Sequence, residues 1–352
     1  MKKILHVLAS SAFSGAESVA ITIITNMNEE YEMAYSSPRG KIEKKLKKKK
    51  ITYYGMNKLN INELRKIIKE YHPNIIHAHD YRASFLCTLL KGKAKLILHI
   101  HNNAPWIKKF CLRSMTFLIA SKKADKILIV SNSIQNEYIF SKIIKNKFIC
   151  IDNPVSSKNI LSQVKNYQAN KKYDICCTAR ISRVKDPITF LNIVYELKKK
   201  MPTIIAIWIG GSDDLVYVNS ILNEVRKLEL EKNIKFLGWK ENPYTYMAES
   251  KIFLLTSEYE GYGLAAFEAL SLGLPCVVSN VGGLSSVVDD SCGKLCEKGN
   301  IMEYCNEITN LLTNEDYYIN KSKKAIIKSK KLDNLEEYCT KLDKIYKGVY
   351  ND

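Results

Sequence analysis

Short apolar runs alternate with amphipathic stretches along nearly the whole chain, and the alternation stops and restarts once. The first series of runs covers residues 4–8, 51–54, 75–77, 96–100 and 127–130; the second covers 175–178, 204–209, 234–237, 252–255 and 276–278. Apolar runs this short and this unbroken are the pattern of parallel strands covered on both faces. Between them, residues 16–27, 59–71, 187–200, 216–228 and 264–272 carry helical periodicity. Strand–helix alternation predicts α/β architecture, one doubly wound sheet per series. The restart follows a polar stretch, residues 156–172, read as a linker. A chain of 352 residues suits two such domains. The tail from Asn300 to Val349 is polar and helical, with no further strand.

The formal net charge is +18, and it is unevenly placed. Residues 1–155 hold 27 Lys and Arg against 11 Asp and Glu; residues 156–352 hold 27 against 25. Only seven of the cations are arginines, as in an AT-rich genome, but codon bias would act on both halves alike. A one-sided basic field attracts polyanions or an anionic membrane face, and a solvated lysine-rich surface is the plainer alternative.

Ten cysteines are scattered without a CxxC pair, which suits reduced thiols and disfavours zinc or a disulfide framework. The opening MKKILHVLASSAFSGA has the outline of a signal peptide, but its apolar run is short and contains His6, so a strand, turn and helix explain it better. No stretch reaches the ~18 unbroken apolar residues of a spanning helix. The expectation is a cytoplasmic protein, either soluble or peripheral on the inner face of the cytoplasmic membrane.

In open α/β sheets ligands bind beyond the carboxyl ends of the strands, so chemistry is sought in those loops. The loop SSAFSGAE (10–17) brings Gly15 to the start of a helix, where free amides receive phosphate. It is not GxGxxG, which disfavours a nicotinamide cofactor, and a plain turn fits it as well. ARISRVKDP follows a strand and carries Arg180 and Lys185, two cations able to clamp a diphosphate in place of a metal. A solvated basic loop is its alternative. In SEYEGYGLAAFEAL, Glu260 precedes a tight turn with Gly261 and Gly263, and Leu264 opens a helix bearing Glu268. One carboxylate then meets part of a ligand, the other accepts from vicinal hydroxyls, and the amides at Gly263 and Leu264 face negative charge. Helix-capping glutamates are the bland reading.

Histidines end two candidate strands: His77 and His79, then His99 and His101. Each pair alternates, so its members share a face. No cysteine or carboxylate pattern completes a metal site beyond Asp80, and none is expected. His101, followed by Asn102 and Asn103, best fits a polar residue at a ligand-facing loop; His77 and His99 belong nearer the core.

At this point the motifs resemble the retaining GT-B glycosyltransferases of family 4. The match rests on SGAE (14–17), HIHN (99–102), VSNS (130–133), DNPV (152–155), the Ala179–Lys185 loop, FLGW (236–239), EGYGLAAFE (260–268) and GLPCVVSNVGG (273–283). The two glutamates eight positions apart, followed by GLP and GG, are the specific part. The resemblance implies two Rossmann-like domains facing across a cleft. The acceptor-binding one would be 1–155 plus about 335–352, and the nucleotide-sugar-binding one 156–334. It implies that Arg180 and Lys185 bind the donor diphosphate, helped by amides at Gly15, Gly263 and Leu264. Glu268 would hold the ribose, and Glu260 and His101 would contact the transferred sugar as the catalytic pair. The base would lie near Trp239 and Lys240. Two departures stand out: Ala179 replaces a common glycine, and Ser285 and Ser286 stand where a glutamate usually follows the GG pair.

The function so implied is transfer of a hexosyl group from a nucleotide sugar, UDP-linked by family precedent, to a saccharide or lipid-linked saccharide with retention. Capsule or exopolysaccharide synthesis is the expected setting, with no metal or other cofactor and no nucleic acid partner. The basic first half would meet an anionic membrane surface through residues 41–50 and WIKKF (106–110). The alternatives are a UDP-sugar epimerase of the same architecture, an inverting transferase and a non-catalytic polyanion binder.

Overall fold

Isoleucine, leucine and valine, which pack well on pleated surfaces covered on both sides, build two parallel sheets. The computed structural model describes residues 1–11, 15–101, 104–165, 167 and 170–351. It divides into one unit formed by Met1–Pro154 with Asn334–Asp352, and another formed by Val155–Asp333.

The first unit contains β1 (Lys2–Val7), β2 (Tyr31–Pro38), β3 (Thr52–Met56), β4 (Ile75–Ala78), β5 (Lys95–Ile100), β6 (Lys126–Ile129) and β7 (Phe148–Cys150). They pair in the order β3-β2-β1-β4-β5-β6-β7, every pair parallel. The opening residues therefore form a strand at the sheet's interior, with Ile4, Leu5 and Val7 fully buried. The chain returns from the second unit as the helix Leu335–Asn351. It is tied to the first unit by Tyr31 Oη donating to Asp343 (2.7 Å) and Lys341 donating to the Cys150 carbonyl (2.8 Å).

The second unit contains β8 (Tyr173–Thr178), β9 (Ala206–Ile209), β10 (Ile234–Gly238), β11 (Ser250–Leu255), β12 (Cys276–Ser279) and β13 (Gly293–Cys296), ordered β10-β9-β8-β11-β12-β13 and again all parallel. Its core joins both faces of the sheet, with Trp208, Phe190 and Phe253 fully buried.

The polar stretch 156–172 is not a linker throughout. Ser157–Ser162 is a short helix, and Ser157 donates from its amide and its hydroxyl to Asp333 Oδ2, both at 2.8 Å. That contact belongs to the second unit, which begins at Val155.

In each sheet the chain reverses its direction of winding between two central strands, β1 and β4 in the first, β8 and β11 in the second. The carboxyl ends beside such a switch point are where open α/β sheets place ligands.

Candidate functional site

In the second unit the loops after β8 and β11 flank the switch point and are stitched together. The Glu258 amide donates to the Val184 carbonyl (2.8 Å), and the Thr256 hydroxyl donates to the Lys185 and Asp186 carbonyls (3.2 and 2.9 Å). Asp186 takes a left-handed conformation and caps the helix Pro187–Lys200 by accepting from the Thr189 amide at 3.2 Å. Pro187 opens that helix, where a missing N–H costs nothing.

This stitching brings Lys185 onto Glu260. The ammonium donates to Glu260 Oε1, which also accepts from the Ser257 hydroxyl at 2.9 Å. Both side chains are mostly buried, so the pair is largely out of water, where charges depend on one another far more than on the surface. Glu260 thereby holds the lysine in one place. Arg180, at the exit of β8, is exposed and has no ion-pair partner among the described residues. Among the described residues it is the one cation of the loop that neither a carboxylate nor a ring holds. Arg183 is occupied, its guanidinium 4.9 Å from the Tyr217 ring centre.

Gly263 sits at φ 95° as the residue before the helix Leu264–Ser271. Its left-handed backbone turns the chain so that the first helical amides stay free of side-chain caps. Glu268, one turn on, accepts from the Tyr244 hydroxyl at 3.1 Å. Burial, followed by the Glu268 charge, pushes the Tyr244 phenol well above its ordinary pKa, so it remains a donor. The turn at 260–263 is held from behind by the loop after β12. The Gly283 amide donates to the Glu260 carbonyl (3.2 Å), and a Cβ at Gly283 would lie 2.3 Å from the Gly261 carbonyl. The glycine pair of GLPCVVSNVGG is there to let two backbones touch.

Trp239 stands at the end of β10, partly exposed, and Lys240 lies 5.4 Å from the Tyr246 ring centre.

In the first unit Gly15 is the first residue of the helix Gly15–Asn26 and is exposed. Ser14, Asn102 and Asn103 lie outside the described residues. His101 follows β5 directly. Its ring is turned inward: Nε2 meets His79 Nδ1 at 3.1 Å, and Nδ1 is buried. His77 and His99 are fully buried, and so is His6, which pairs with His79 at 2.9 Å. Burial pushes the His101 imidazole down to about 4 and His6 to about 3; His77, His79 and His99 fall well below the usual value for the same reason. All five are neutral near pH 7.

Sequence reasoning missed Ser257, Tyr244 and His6: the partners of Tyr244 and His6 are distant in the chain, and Ser257 meets Glu260, three residues on, only through the fold of the turn. Of the expected interfacial segment WIKKF, Trp106 packs edge-on against Tyr81 (4.5 Å) and Ile107 is buried, leaving Lys108, Lys109 and Phe110 exposed. Among the described residues no helix is long and apolar enough to cross a membrane.

Two family models match, end to end. Glycosyltransferase Family 4 covers residues 15–158, and Glycosyl transferases group 1 covers residues 160–332. The chain is 27% identical over 301 residues to the capsular polysaccharide biosynthesis glycosyltransferase CapH of Staphylococcus aureus, spanning 82% of this chain and 84% of that one. It is 24% identical over 267 residues (70% and 68% of the two chains) to an Escherichia coli UDP-Gal:alpha-D-GlcNAc-diphosphoundecaprenol alpha-1,3-galactosyltransferase. Its fold superposes on Anabaena HepE, solved in complex with UDP and glucose, with TM-score 0.85 and 18% identity over 99% of this chain and 100% of that one. Two parallel Rossmann-like units, matched in order by the two models that together leave only the termini uncovered, place this chain in the GT-B glycosyltransferases of family 4, group 1.

Proposed function

We propose that the protein transfers a hexosyl group from a UDP-sugar to a hydroxyl of a saccharide or lipid-linked saccharide, with retention of configuration, in the assembly of a capsule or related surface polysaccharide. The observation that carries this reading is the pairing of Lys185 with Glu260 beside the unpaired Arg180 at the switch point of the second sheet. Breaking the bond between the anomeric carbon and the diphosphate puts negative charge on the leaving group. Arg180, Lys185 and the amides at Gly263 and Leu264 receive it, with Gly15 as a further amide donor, so neither a metal nor another cofactor is called on. Glu268, oriented by Tyr244, holds the ribose hydroxyls, and Glu260 orients the hydroxyls of the transferred sugar. The acceptor hydroxyl attacks from the side the diphosphate leaves; its proton passes to the departing phosphate oxygen, and the new C–O bond keeps the old configuration. HepE complexes with UDP and with UDP-glucose support a UDP-linked donor, and the diphosphoundecaprenol named for the E. coli relative supports a lipid-linked acceptor.

A panel of sugar nucleotides, scored for thermal stabilisation and for nucleotide release with acceptor, tests this reading. Glu268→Ala should weaken donor binding, and Glu260→Ala should lower turnover more than nucleotide affinity. Both variants matching wild type would refute the site. An isomerised donor formed without acceptor would point to an epimerase instead, and an inverted product anomer would refute retention.

The acceptor side of this reading places the first unit on the cytoplasmic face of an anionic membrane. On the helix Leu112–Lys123, Leu112, Met115 and Ile119 share an outward face and are exposed, while Phe117 and Ala120 face the core. Phe110, 70% exposed, precedes that face, with Lys108, Lys109 and Arg113 around it. Apolar residues ringed by cations suit the headgroup boundary of an anionic bilayer. Binding to vesicles of anionic lipid, lost on Phe110→Ser with Leu112→Ser, is expected; equal retention of both proteins, or none of either at low salt, would refute it.

A further inference from the structure

Five imidazoles cross the carboxyl half of the first sheet in two rows. In one row His6 Nδ1 meets His79 Nε2 at 2.9 Å and His79 Nδ1 meets His101 Nε2 at 3.1 Å. The ring centres are 5.1 and 5.3 Å apart, and the planes differ by 29° and 5°. Centres that far apart with nitrogens at hydrogen-bond distance mean near-coplanar rings in head-to-tail contact, not face stacking. In the other row His77 Nε2 meets His99 Nδ1 at 3.2 Å, and His77 Nδ1 meets the hydroxyl of Tyr346, from the returning helix, at 2.7 Å. The rows lie on each other, His77 on His79 with centres 4.3 Å apart and His99 on His101 at 4.0 Å.

The sheet register explains the slant of the rows. His6 stands opposite His77, and His77 opposite Ile97. Each bonded neighbour is therefore two residues nearer the carboxyl end, and the His6–His79–His101 row runs from inside β1 to the loop after β5.

Three-histidine groups within this cluster are close enough together to suggest a metal. Each short N···N contact is already a hydrogen bond, however, and in-plane lone pairs aimed at a neighbouring ring do not converge on an ion. A neutral imidazole has one N–H and one bare nitrogen, so a row of three has two possible polarities. If the row runs from His101 toward His6, His6 Nε2–H becomes a buried donor with no partner. His101 Nδ1 then turns a lone pair toward the side chain of Asn153, whose Oδ1, like His101 Nδ1 itself, is buried without a hydrogen-bond partner among the described residues. If the row runs from His6 toward His101, both internal bonds form and His101 Nδ1–H is left to face Asn153 as a donor. That polarity sets an N–H rather than a lone pair against the unmet Asn153 oxygen and leaves His6 Nε2 as a bare acceptor, and a buried orphan acceptor is tolerated better than a buried orphan N–H.

We propose that His6, His79 and Asn153 are positioning residues that lock His101 as its Nδ1–H tautomer, with Nε2 an acceptor. What that lock achieves rests on the glycosyl-transfer reading; which tautomer is present does not. With His101 beside the transferred sugar, a fixed neutral ring keeps positive charge away from a carbon that is itself becoming cationic. Burial and the other imidazoles hold the row neutral, while the Asn153 contact alone raises the affinity of His101 for a proton. The titratable groups facing the row are His77 and His99 in the layer beside it, and Tyr346 beyond them. Asp80, next along from His79, has its carboxylate taken by the amides of Ala9, Arg82 and Ala83 at 2.8 to 2.9 Å.

The test is nitrogen NMR of the full chain labelled with 15N-histidine, with His101 assigned by its loss in His101→Asn. The expected result near neutral pH is one protonated Nδ1 and one bare Nε2. A protonated Nε2, an imidazolium or a mixture of tautomers would overturn the proposal, and this measurement needs no variant of the row to fold. The second arm compares two substitutions at His79. In His79→Asn the amide stands where Nδ1 was and still donates to His101; in His79→Gln it stands where Nε2 was and keeps only the His6 contact. His79→Gln should lose the His101 Nδ1–H signal and lower kcat by roughly tenfold or more, as expected of a wrong tautomer, with donor KM little changed. His79→Asn should stay near wild type in both. Equal losses in the two variants would mean ordinary packing and overturn the positioning role. A wild type that turns over no sugar nucleotide would sink the glycosyl-transfer reading and leave the tautomer result standing.

Discussion

The two cations of the β8 loop differ in what they do before any ligand arrives. Arg180 is exposed and has no carboxylate partner among the described residues, so its removal touches little of the folded state; Lys185 is bonded to Glu260 in a largely water-free setting. Arg180→Ala should therefore leave the melting temperature within the scatter of a surface change, about 0.5 kcal/mol. It should weaken UDP binding by about 1.5–3 kcal/mol, the value of a hydrogen bond to a charged group. Calorimetric titration with UDP beside a melting curve checks both halves, and Lys185→Ala should by contrast lower both. Tyr244→Phe isolates the support behind Glu268. Deleting one donor to that carboxylate should raise the Kd for a UDP-sugar by about tenfold without altering the fold, read by the same titration.

At the scale of elements, contact between loops fixes the site as firmly as the strands do. A methyl at Gly283 would meet the Gly261 carbonyl at 2.3 Å and the Tyr262 Cα at 2.8 Å, both backbone atoms that cannot swing aside. Gly283→Ala should push the 260–263 turn out of place, costing about 1–3 kcal/mol by overpacking and lowering sugar-nucleotide turnover, checked by urea unfolding and assay. In the sequence these glycines of GLPCVVSNVGG stood only as part of a family motif; the clamp they form comes from the structure. The same scale shows what could be read early. Ten of the strands are apolar runs, and the helix Pro187–Lys200 is marked at its start by Asp186 and Pro187. β2, YEMAYSSP, escaped because two serines and a glutamate break its apolar pattern; Ser36 is buried all the same, its hydroxyl donating to the Tyr54 carbonyl at 3.0 Å. The histidine row escaped for another reason. Alternation puts His77 with His79 and His99 with His101 on shared faces, but that β1 lies next to β4, and so His6 next to His79, follows only from strand order.

Across the whole molecule, the uneven distribution of histidine makes the two units respond differently to acid. All six histidines lie in the first unit, and five of them form the buried rows. Their folded pKa values are depressed, to about 3 for His6 and about 4 for His101 and well below the usual value for the rest. An unfolded chain would protonate them near pH 6.5. Below that pH the unfolded state binds more protons than the folded one, so stability falls as the pH drops and keeps falling until the folded values are reached. Each imidazole kept neutral in the folded state adds to that loss, by about 1.4 kcal/mol per pH unit while the window lasts, so the first unit weakens steeply as acid is added. The second unit has no such group. Its depressed carboxylate Asp289, bonded to Lys328 at 2.7 Å, works in the opposite sense, stabilising at neutral pH and giving way only in much stronger acid. Hydrogen exchange between pH 7 and 5 should therefore show protection falling in β1, β4 and β5 while β8, β11 and β12 keep theirs. Uniform loss over both sheets, or none in the first, would mean that the imidazole rows are charged or hydrated in the native protein, and the tautomer lock on His101 would fall with them.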